Sequence, residues 1–375
     1  MIARIFRRWL AMTAAAGVLW AGSPLRASAA AQPQAAVIEL KFENLKSPNA
    51  FMGFMPDANG KVERPFACAS GKLLLEFKSG KLRADSNGDG KIDAKDAPAV
   101  ELKGDMREPA RVEVAVPWAG KTVNYPLFVA TSGTVRSGEG QEQTYLLIAS
   151  GACLEGKYGD ATVQIFDGNW DGRFSGSGDR IAISSSARQD PYAGYGVPWS
   201  KVVAIAGKLH NIELLNSGSQ LKLTPYTGPI AEVRVSTDKS ARNFNLMLQG
   251  QDEGQIAICR ADEATLMVPG KYRIYTLSYQ AGDNRRPGFM SGSQDPARPP
   301  LEIKAGSQSL KFGPPLKMDI TAAFNNGTLD ITAVRVAGVS GELYRPDLQK
   351  DQGDVFASFI RAGGKETKLA EMEFS

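Results

Sequence analysis

The segment Asp85-Ser-Asn-Gly-Asp-Gly-Lys-Ile-Asp-Ala-Lys-Asp96 lies between two short apolar runs, Lys72-Leu-Leu-Leu-Glu-Phe77 and Ala99-Val-Glu-Leu102. Each run is shorter than the roughly ten residues of an ordinary helix, so both favour β-strands. Asp, Asn and Gly between them are typical of a tight turn. The segment therefore predicts a strand, a polar loop and another strand, and this β pattern continues along the chain.

Oxygen-bearing side chains in this loop follow a regular spacing. They occupy positions 1, 3, 5, 9 and 12, with glycine at position 6, where the chain must turn sharply, and Ile92 at the apolar position 8. Ca²⁺ takes six to eight oxygen ligands at about 2.3–2.6 Å. The expected ligands are side-chain oxygens and one backbone carbonyl, from Asp85, Asn87, Asp89, Lys91 (carbonyl), Asp93 and Asp96.

This spacing resembles the calcium loop of EF-hand and dockerin proteins. Asp96 stands where the EF-hand has a bidentate glutamate, and the shorter carboxylate is the dockerin choice. The flanking runs favour strands and not the two helices of an EF-hand. The resemblance therefore implies the ligand roles, without the helix-loop-helix fold.

A second segment, Asp167-Gly-Asn-Trp-Asp-Gly-Arg-Phe-Ser175, repeats the ligand rhythm, the glycine and the apolar position 8. Its position 12 is Gly178, and the nearest acid comes one residue later. The expected ligands are Asp167, Asn169, Asp171, Arg173 (carbonyl) and Asp179. Two such copies predict a repeated strand-loop-strand unit whose strands pair, with Ile92 and Phe174 in the core. The alternative is that both segments are polar Asx-type turns.

Apolar and polar residues alternate with a period of two in many short runs, as at Val112, Val114 and Val116, and no segment shows sustained helical periodicity. The sequence therefore predicts an all-β fold of tandem β-sandwich-like domains, with little helix outside the leader. Breaker-rich stretches predict three domains, at residues 32–186, 200–283 and 301–375.

Two regions after the loops contain patterns typical of known β-sandwich elements. Leu266-Met-Val-Pro-Gly-Lys-Tyr-Arg-Ile-Tyr275 resembles a strand-turn-strand element of prealbumin-like and carboxypeptidase-regulatory-like sandwiches. In the last region, Asn325-Asn-Gly327 and Gly363-Gly364 predict the turns of two hairpins, a pattern typical of an immunoglobulin-like domain.

The first 29 residues predict a secretory signal peptide. Met1 to Arg8 is basic, Trp9 to Gly22 is apolar but too short to span a bilayer, and Ala27-Ser-Ala29 offers small residues for cleavage. Arg7-Arg8 leaves a twin-arginine signal open, although the following residues favour the Sec type. We expect a secreted or periplasmic protein with no membrane span after signal removal.

Charge and cysteine content exclude several classes of protein. The 44 basic and 40 acidic residues give a net charge of +4, part of it in the leader, which argues against nucleic-acid binding. The three cysteines are too far apart for a disulfide scaffold or a zinc site. Two alternatives remain: a disulfide between Cys68 and Cys153, or three reduced, buried thiols.

No catalytic motif stands out. His210 is the only histidine, and glycine patterns of nucleotide sites and serine hydrolases are missing from the sequence. We therefore expect a non-catalytic, calcium-binding structural, binding or adhesion protein. The alternative is an accessory or catalytic component of extracellular polysaccharide hydrolysis. Besides calcium, the expected partners are a polysaccharide or another extracellular protein, and four aromatic residues offer rings for stacking: Trp170, Tyr192, Tyr195 and Trp199.

Overall fold

The computed structural model describes residues 34–48, 50–102, 106, 108–136, 142–185, 196–251, 254–281, 288–325, 328–347, 355–360 and 366–372. Several predictions concern residues outside these ranges, namely the signal peptide, Tyr192 and Tyr195, and parts of the two hairpin turns near Asn326 and Gly363.

Strands account for nearly all regular structure in the described residues. The first part contains β1 (Ala36–Glu39), β2 (Lys41–Asn44), β3 (Met52–Phe54), β4 (Lys61–Pro65), β5 (Lys72–Lys78), β6 (Lys81–Ala84), β7 (Val100–Glu101), β8 (Ala110–Trp118), β9 (Lys121–Arg136), β10 (Glu142–Ser150), β11 (Ala152–Tyr158), β12 (Ala161–Phe166), β13 (Arg180–Ser185) and β14 (Val197–Pro198). The middle part contains β15 (Val202–Ile205), β16 (Lys208–Leu215), a 3₁₀ turn (Asn216–Gly218), β17 (Gln220–Pro225), β18 (Ala231–Ser236), β19 (Arg242–Gly250), β20 (Ile256–Arg260), β21 (Ala264–Met267), β22 (Gly270–Ala281), β23 (Gly288–Ser293), β24 (Leu301–Ile303) and β25 (Gly306–Lys311). The last part contains β26 (Lys317–Asn325), β27 (Thr328–Ala337), β28 (Leu343–Asp347), β29 (Val355–Ile360) and β30 (Glu366–Met372). The prediction of an all-β fold with little helix is confirmed.

Alternating burial explains why these segments form strands. In β8, Val112, Val114 and Val116 are buried, while Arg111 and Glu113 are exposed. Successive side chains of a strand point to opposite faces, so this order presents one apolar face to a core. The sheets are antiparallel, except where β18 pairs with β25 in parallel.

Sheets around the first core bring distant segments together. Their strand orders are β4-β5-β6-β7, β3-β10-β9-β8, β14-β13-β12-β11-β2 and β1-β17-β16-β15. The core between them extends in sequence from Ile38 to Ile256 and includes Tyr125 and Phe174. Strands from both sides of the breaker-rich segment near residue 190 therefore share this core.

Each polar loop joins two neighbouring strands of one of these sheets. The first joins β6 to β7, and the second joins β12 to β13. Each pair is antiparallel and hydrogen-bonded. The predicted strand-loop-strand arrangement with paired strands is therefore confirmed for both copies.

A second core lies among the later strands. The order β20-β19-β22-β23-β28-β27-β26 forms one sheet, with β24 beside β22, and β21-β18-β25 forms another. Strands β21 and β22, from the segment that resembles a sandwich element, thus belong to different sheets. Their buried residues Met267 and Tyr272 both belong to this core. The predicted hairpins β26-β27 and β29-β30 are paired.

The three cysteines are free and buried. A disulfide between Cys68 and Cys153 was therefore the wrong one of the two alternatives. Cys68 belongs to the first core, whereas Cys153 packs with Phe166 and Ala182 in a separate small cluster. The Cys68 thiol donates instead to the Lys72 carbonyl at 3.0 Å. Within the described ranges, no helix is long and apolar enough to cross a membrane.

Candidate metal centres

The first loop is folded around its own side-chain oxygens. The carboxylate of Asp85 accepts the backbone N–H groups of Asp89 at 3.0 Å and Gly90 at 2.6 Å. Asn87 Oδ1 also accepts the Asp89 N–H, and Asp89 Oδ1 accepts the Lys91 N–H. These bonds hold residues 85–91 in one compact turn.

The second loop repeats these bonds position by position. Asp167 accepts the N–H groups of Asp171 at 3.2 Å and Gly172 at 2.8 Å. Asn169 Oδ1 accepts the Asp171 N–H, and Asp171 Oδ1 accepts the Arg173 N–H. The glycine at position 6 has a positive φ in both copies, 90° for Gly90 and 74° for Gly172. Residues with a Cβ rarely adopt this backbone conformation, so glycine at position 6 is what allows the sharp turn in each loop.

The last acid of each loop has the same role despite the difference of one residue. Asp96 accepts the N–H groups of Ser86 and Asp93, at positions 2 and 9. Asp179 accepts those of Gly168 and Ser175, also at positions 2 and 9. The second loop is therefore one residue longer than the first, but its last carboxylate accepts the same two backbone N–H groups.

The closing acid distinguishes the two loops. The position-1 acids Asp85 and Asp167 are both buried, at 1% and 2% exposed, whereas Asp179 is 1% exposed and Asp96 is only half-buried. Burial raises the pKa of Asp167 to about 6, although hydrogen bonds from Tyr125 and Gly172 oppose the rise. Burial and the neighbouring charge of Asp167 raise the pKa of Asp179 to about 7, against its backbone hydrogen bonds. The second loop thus holds two acids whose ionisation is costly in the folded state.

In the first loop, the pKa values of Asp85 and Asp96 shift in opposite directions. Burial raises the pKa of Asp85, with backbone hydrogen bonds from Gly90 and Asp89 opposing the rise. For Asp96, burial also acts to raise the pKa, but backbone hydrogen bonds led by that of Asp93 outweigh it, so the pKa falls below its usual value. Asp89 is exposed at the surface. This loop is therefore the more open of the two.

A turn at residues 66–71 contacts both loops. The Ala67 N–H donates to the Asp171 carbonyl, and the Ser70 N–H donates to the Gly88 carbonyl, each at 2.7 Å. A Cβ on Gly88 would lie 2.8 Å from the Cβ of Cys68, so this glycine is needed for close contact. The two loops are thus neighbours across one short turn, although about 80 residues separate them in sequence.

Two residues that the sequence pattern did not single out reach the second loop. The Tyr125 hydroxyl donates to Asp167 Oδ2 at 2.6 Å. Arg64 Nη2 donates to the Asn169 carbonyl at 2.7 Å, while its guanidinium lies over the Phe54 ring at 4.6 Å. Nε and Nη1 of Arg64 are buried and find no hydrogen-bond partner among the described residues. A positive side chain therefore lies next to the second loop.

The apolar position-8 residues behave differently in the two copies. Phe174 is buried in the first core, with its ring 6.2 Å from that of Phe42 and 6.4 Å from that of Tyr125. Ile92 is only half-buried and is not part of that core. The prediction that both residues enter the core is thus correct for Phe174 and wrong for Ile92, because β7 is only two residues long and lies at the edge of its sheet.

The oxygen groups do not form a finished metal cage in this structure. Among the residues that it describes, no group of three or more His, Cys, Asp or Glu side chains is positioned to hold a metal ion. The carboxylate oxygens instead accept backbone N–H groups. The donor chemistry, with carboxylate, amide and carbonyl oxygens only, matches what Ca²⁺ prefers.

The remaining sequence candidates, one histidine and two tryptophans, are buried or half-buried and contact neighbouring parts of the fold. His210 is buried in β16, in contact with the Tyr158 hydroxyl and the Lys208 carbonyl, and burial lowers its pKa. Trp170 is half-buried and its Nε1–H donates to the Ala50 carbonyl. Trp199 is buried against Gly176 at the end of the second loop.

No protein-family model, curated protein sequence or solved structure matches this chain. The assignment of a function therefore rests on the loops and on the rest of the structure.

Proposed function

We propose that this chain is an exported, non-catalytic, calcium-binding β protein whose Asp-rich loops bind Ca²⁺ and thereby stabilise the fold. The observation that carries the proposal is the repeated loop frame: in two segments far apart in sequence, the side-chain oxygens at positions 1, 3 and 5 and those of the closing acid accept equivalent backbone N–H groups. Ordinary Asx turns require only one such side chain. The full repeat supports a shared ligand.

In the first loop the ligands would be the oxygens of Asp85, Asn87, Asp89, Lys91 (carbonyl), Asp93 and Asp96. In the second they would be those of Asp167, Asn169, Asp171, Arg173 (carbonyl) and Asp179. Each carboxylate has about four lone-pair sites, so those that accept N–H groups keep capacity for a cation. A small inward movement of the side chains would be needed to bring the carboxylates together.

Calcium would act on stability through two effects. The acids of each loop repel one another, and a divalent cation between them removes that repulsion. A ligand that binds only the folded state stabilises it by about 2.7 kcal/mol at 100 times its dissociation constant. Extracellular calcium modules bind with dissociation constants of about 10⁻⁴–10⁻³ M, so a weak site suffices for an exported protein.

The test is thermal unfolding of Asp89→Ala in calcium and in chelator. Asp89 is exposed and its side chain bonds only within the loop, to the Lys91 N–H and the Asn87 amide. We expect the parent to melt higher in calcium, and the variant to lose much of that increase while matching the parent in chelator. Asp160→Ala, an exposed acid outside both loops, is the control. Equal shifts in calcium and in chelator would contradict the proposal.

A further inference from the structure

A cleft of about 360 Å³ opens beside the second loop. One wall consists of the loop itself, at Gly168 and Gly178, together with Arg180 and Trp199. The opposite wall comes from two strands of the second core, through Gln249 of β19 and Tyr275 of β22. The volume lies within the range of about 300–1,000 Å³ that is usual for small-molecule sites.

Tyr275 is the feature that distinguishes this cleft. Its side chain is 43% exposed, and it is the only exposed aromatic residue among those whose burial the structure describes. An irregularity in β22 explains its direction, because the register with β19 moves from Thr276 to Ile274 and leaves Tyr275 as the extra residue of a bulge, on the outer face. Aromatic rings normally bury a large apolar area, so an outward ring at a cleft is available for contact with a ligand.

The other lining groups are polar and planar. Arg180 is fixed by a hydrogen bond from Nη2 to the Gly196 carbonyl at 2.7 Å. Gln249 is half-buried and carries both amide donors and a carbonyl acceptor. Asp179 also faces the cleft, but its carboxylate accepts the N–H groups of Ser175 and Gly176. Arg180 and Asp179 are the only charged residues among the described ones that line the cleft, so it carries at most one net charge, which favours a ligand without strong charge.

We propose that this cleft binds a sugar ring of a neutral oligosaccharide or polysaccharide. A pyranose has one face of C–H groups and a rim of hydroxyls. Its apolar face fits the Tyr275 ring, with the edge of the mostly buried Trp199 beside it, and its hydroxyls fit the donors and acceptors of Gln249 and Arg180. The side chains that would contact the sugar are not candidate calcium ligands, although Asp179 of the second loop also lines the cleft.

The test is calorimetric titration of the exported chain with maltohexaose, cellohexaose, xylohexaose and chitohexaose, each in calcium and in chelator. We expect at least one of these probes to bind, and Tyr275→Ala to weaken that binding about tenfold or more. Tyr275→Phe, which keeps the ring, should retain most of the affinity. Ile230→Ala is the matched control, because Ile230 is equally exposed but does not line the cleft.

Three outcomes would overturn the proposal. The first is that none of the four oligosaccharides binds. The second is binding that Tyr275→Ala leaves unchanged while its melting temperature equals that of the parent. The third is binding of a proline-rich peptide, lost in Tyr275→Ala, without binding of any sugar, which would assign the cleft to a protein partner.

Discussion

Replacement of Asp179 by asparagine separates two contributions to stability: the cost of a buried charge in the metal-free loop, and the gain from calcium binding. Asp179 is 1% exposed. Its Oδ2 accepts the N–H groups of Ser175 at 2.8 Å and Gly176 at 2.9 Å, while Oδ1 accepts that of Gly168 at 3.4 Å. An asparagine keeps one oxygen for the two short bonds, and its NH₂ group replaces the oxygen that accepts the long bond from Gly168. The substitution therefore removes the charge and preserves most of the loop.

The expected magnitude follows from the raised pKa. The pKa of Asp179 rises from 3.8 to about 7, first because burial removes water and also because Asp167 is negatively charged. The folded state then holds the proton more tightly than the unfolded state. The resulting penalty is absent well below pH 4, grows as the pH rises, and is complete above about pH 7. At about 1.4 kcal/mol for each pH unit, it reaches at most about 4 kcal/mol at pH 8.

Loss of the long hydrogen bond offsets about 1 kcal/mol of this gain. We therefore expect Asp179→Asn to stabilise the chelated protein by roughly 1–3 kcal/mol at pH 8, and to change it little at pH 5, where less than half of the penalty remains. The assay is urea unfolding in chelator at both pH values. In calcium the order should reverse, because the variant lacks one ligand charge.

The control is Asp160→Asn, an exposed acid in the turn between β11 and β12. Surface substitutions usually change stability by less than about 0.5 kcal/mol. If Asp179→Asn instead destabilised the chelated protein equally at pH 5 and pH 8, the buried carboxylate would not carry a charge penalty, and the reasoning would be refuted.

Three other predictions follow from the loops and the cores. Phe174→Ala should cost about 3–5 kcal/mol in chemical denaturation and Ile92→Ala about 1 kcal/mol, because only Phe174 is buried in the core; equal costs would contradict the difference between the loops. Thiol titration should find three reactive cysteines after denaturation and almost none before, since all three are free and buried, whereas one thiol would indicate a disulfide. Arg64→Gln should raise the calcium affinity of the second loop, measured by calorimetry in the Asp89→Ala background, because it removes a positive charge near Asp167 and Asp171; lower affinity would show that the hydrogen bond to Asn169 matters more.

Local sequence predicted the loops well because their form is set locally. Each hydrogen bond that the side-chain oxygens of Asp85 and Asn87 accept comes from a residue at most five positions away. The same holds for the alternation that predicts β8, since strand burial follows from a period of two. Even Asp179, one residue late in the spacing, closes its loop as Asp96 does.

Contacts between distant segments were not predictable in this way. Arg64 and Tyr125 meet the second loop from 105 and 42 residues away. The turn at residues 66–71 contains no ligand-type pattern, yet it joins both loops. The pairing of Cys68 with Cys153 failed for the same reason, because their positions depend on which sheets pack together. Sequence spacing therefore identified the candidate ligands, and the fold determined their burial.

The most direct test of the account is calcium calorimetry on the protein after chelation. The parent is compared with the double variant Asp89→Ala, Asp171→Ala, which removes the position-5 carboxylate from both loops. We predict saturable calcium binding to the parent and none to the double variant. A parent that gives no binding heat, and that retains no calcium after dialysis against millimolar CaCl₂, would contradict the central claim.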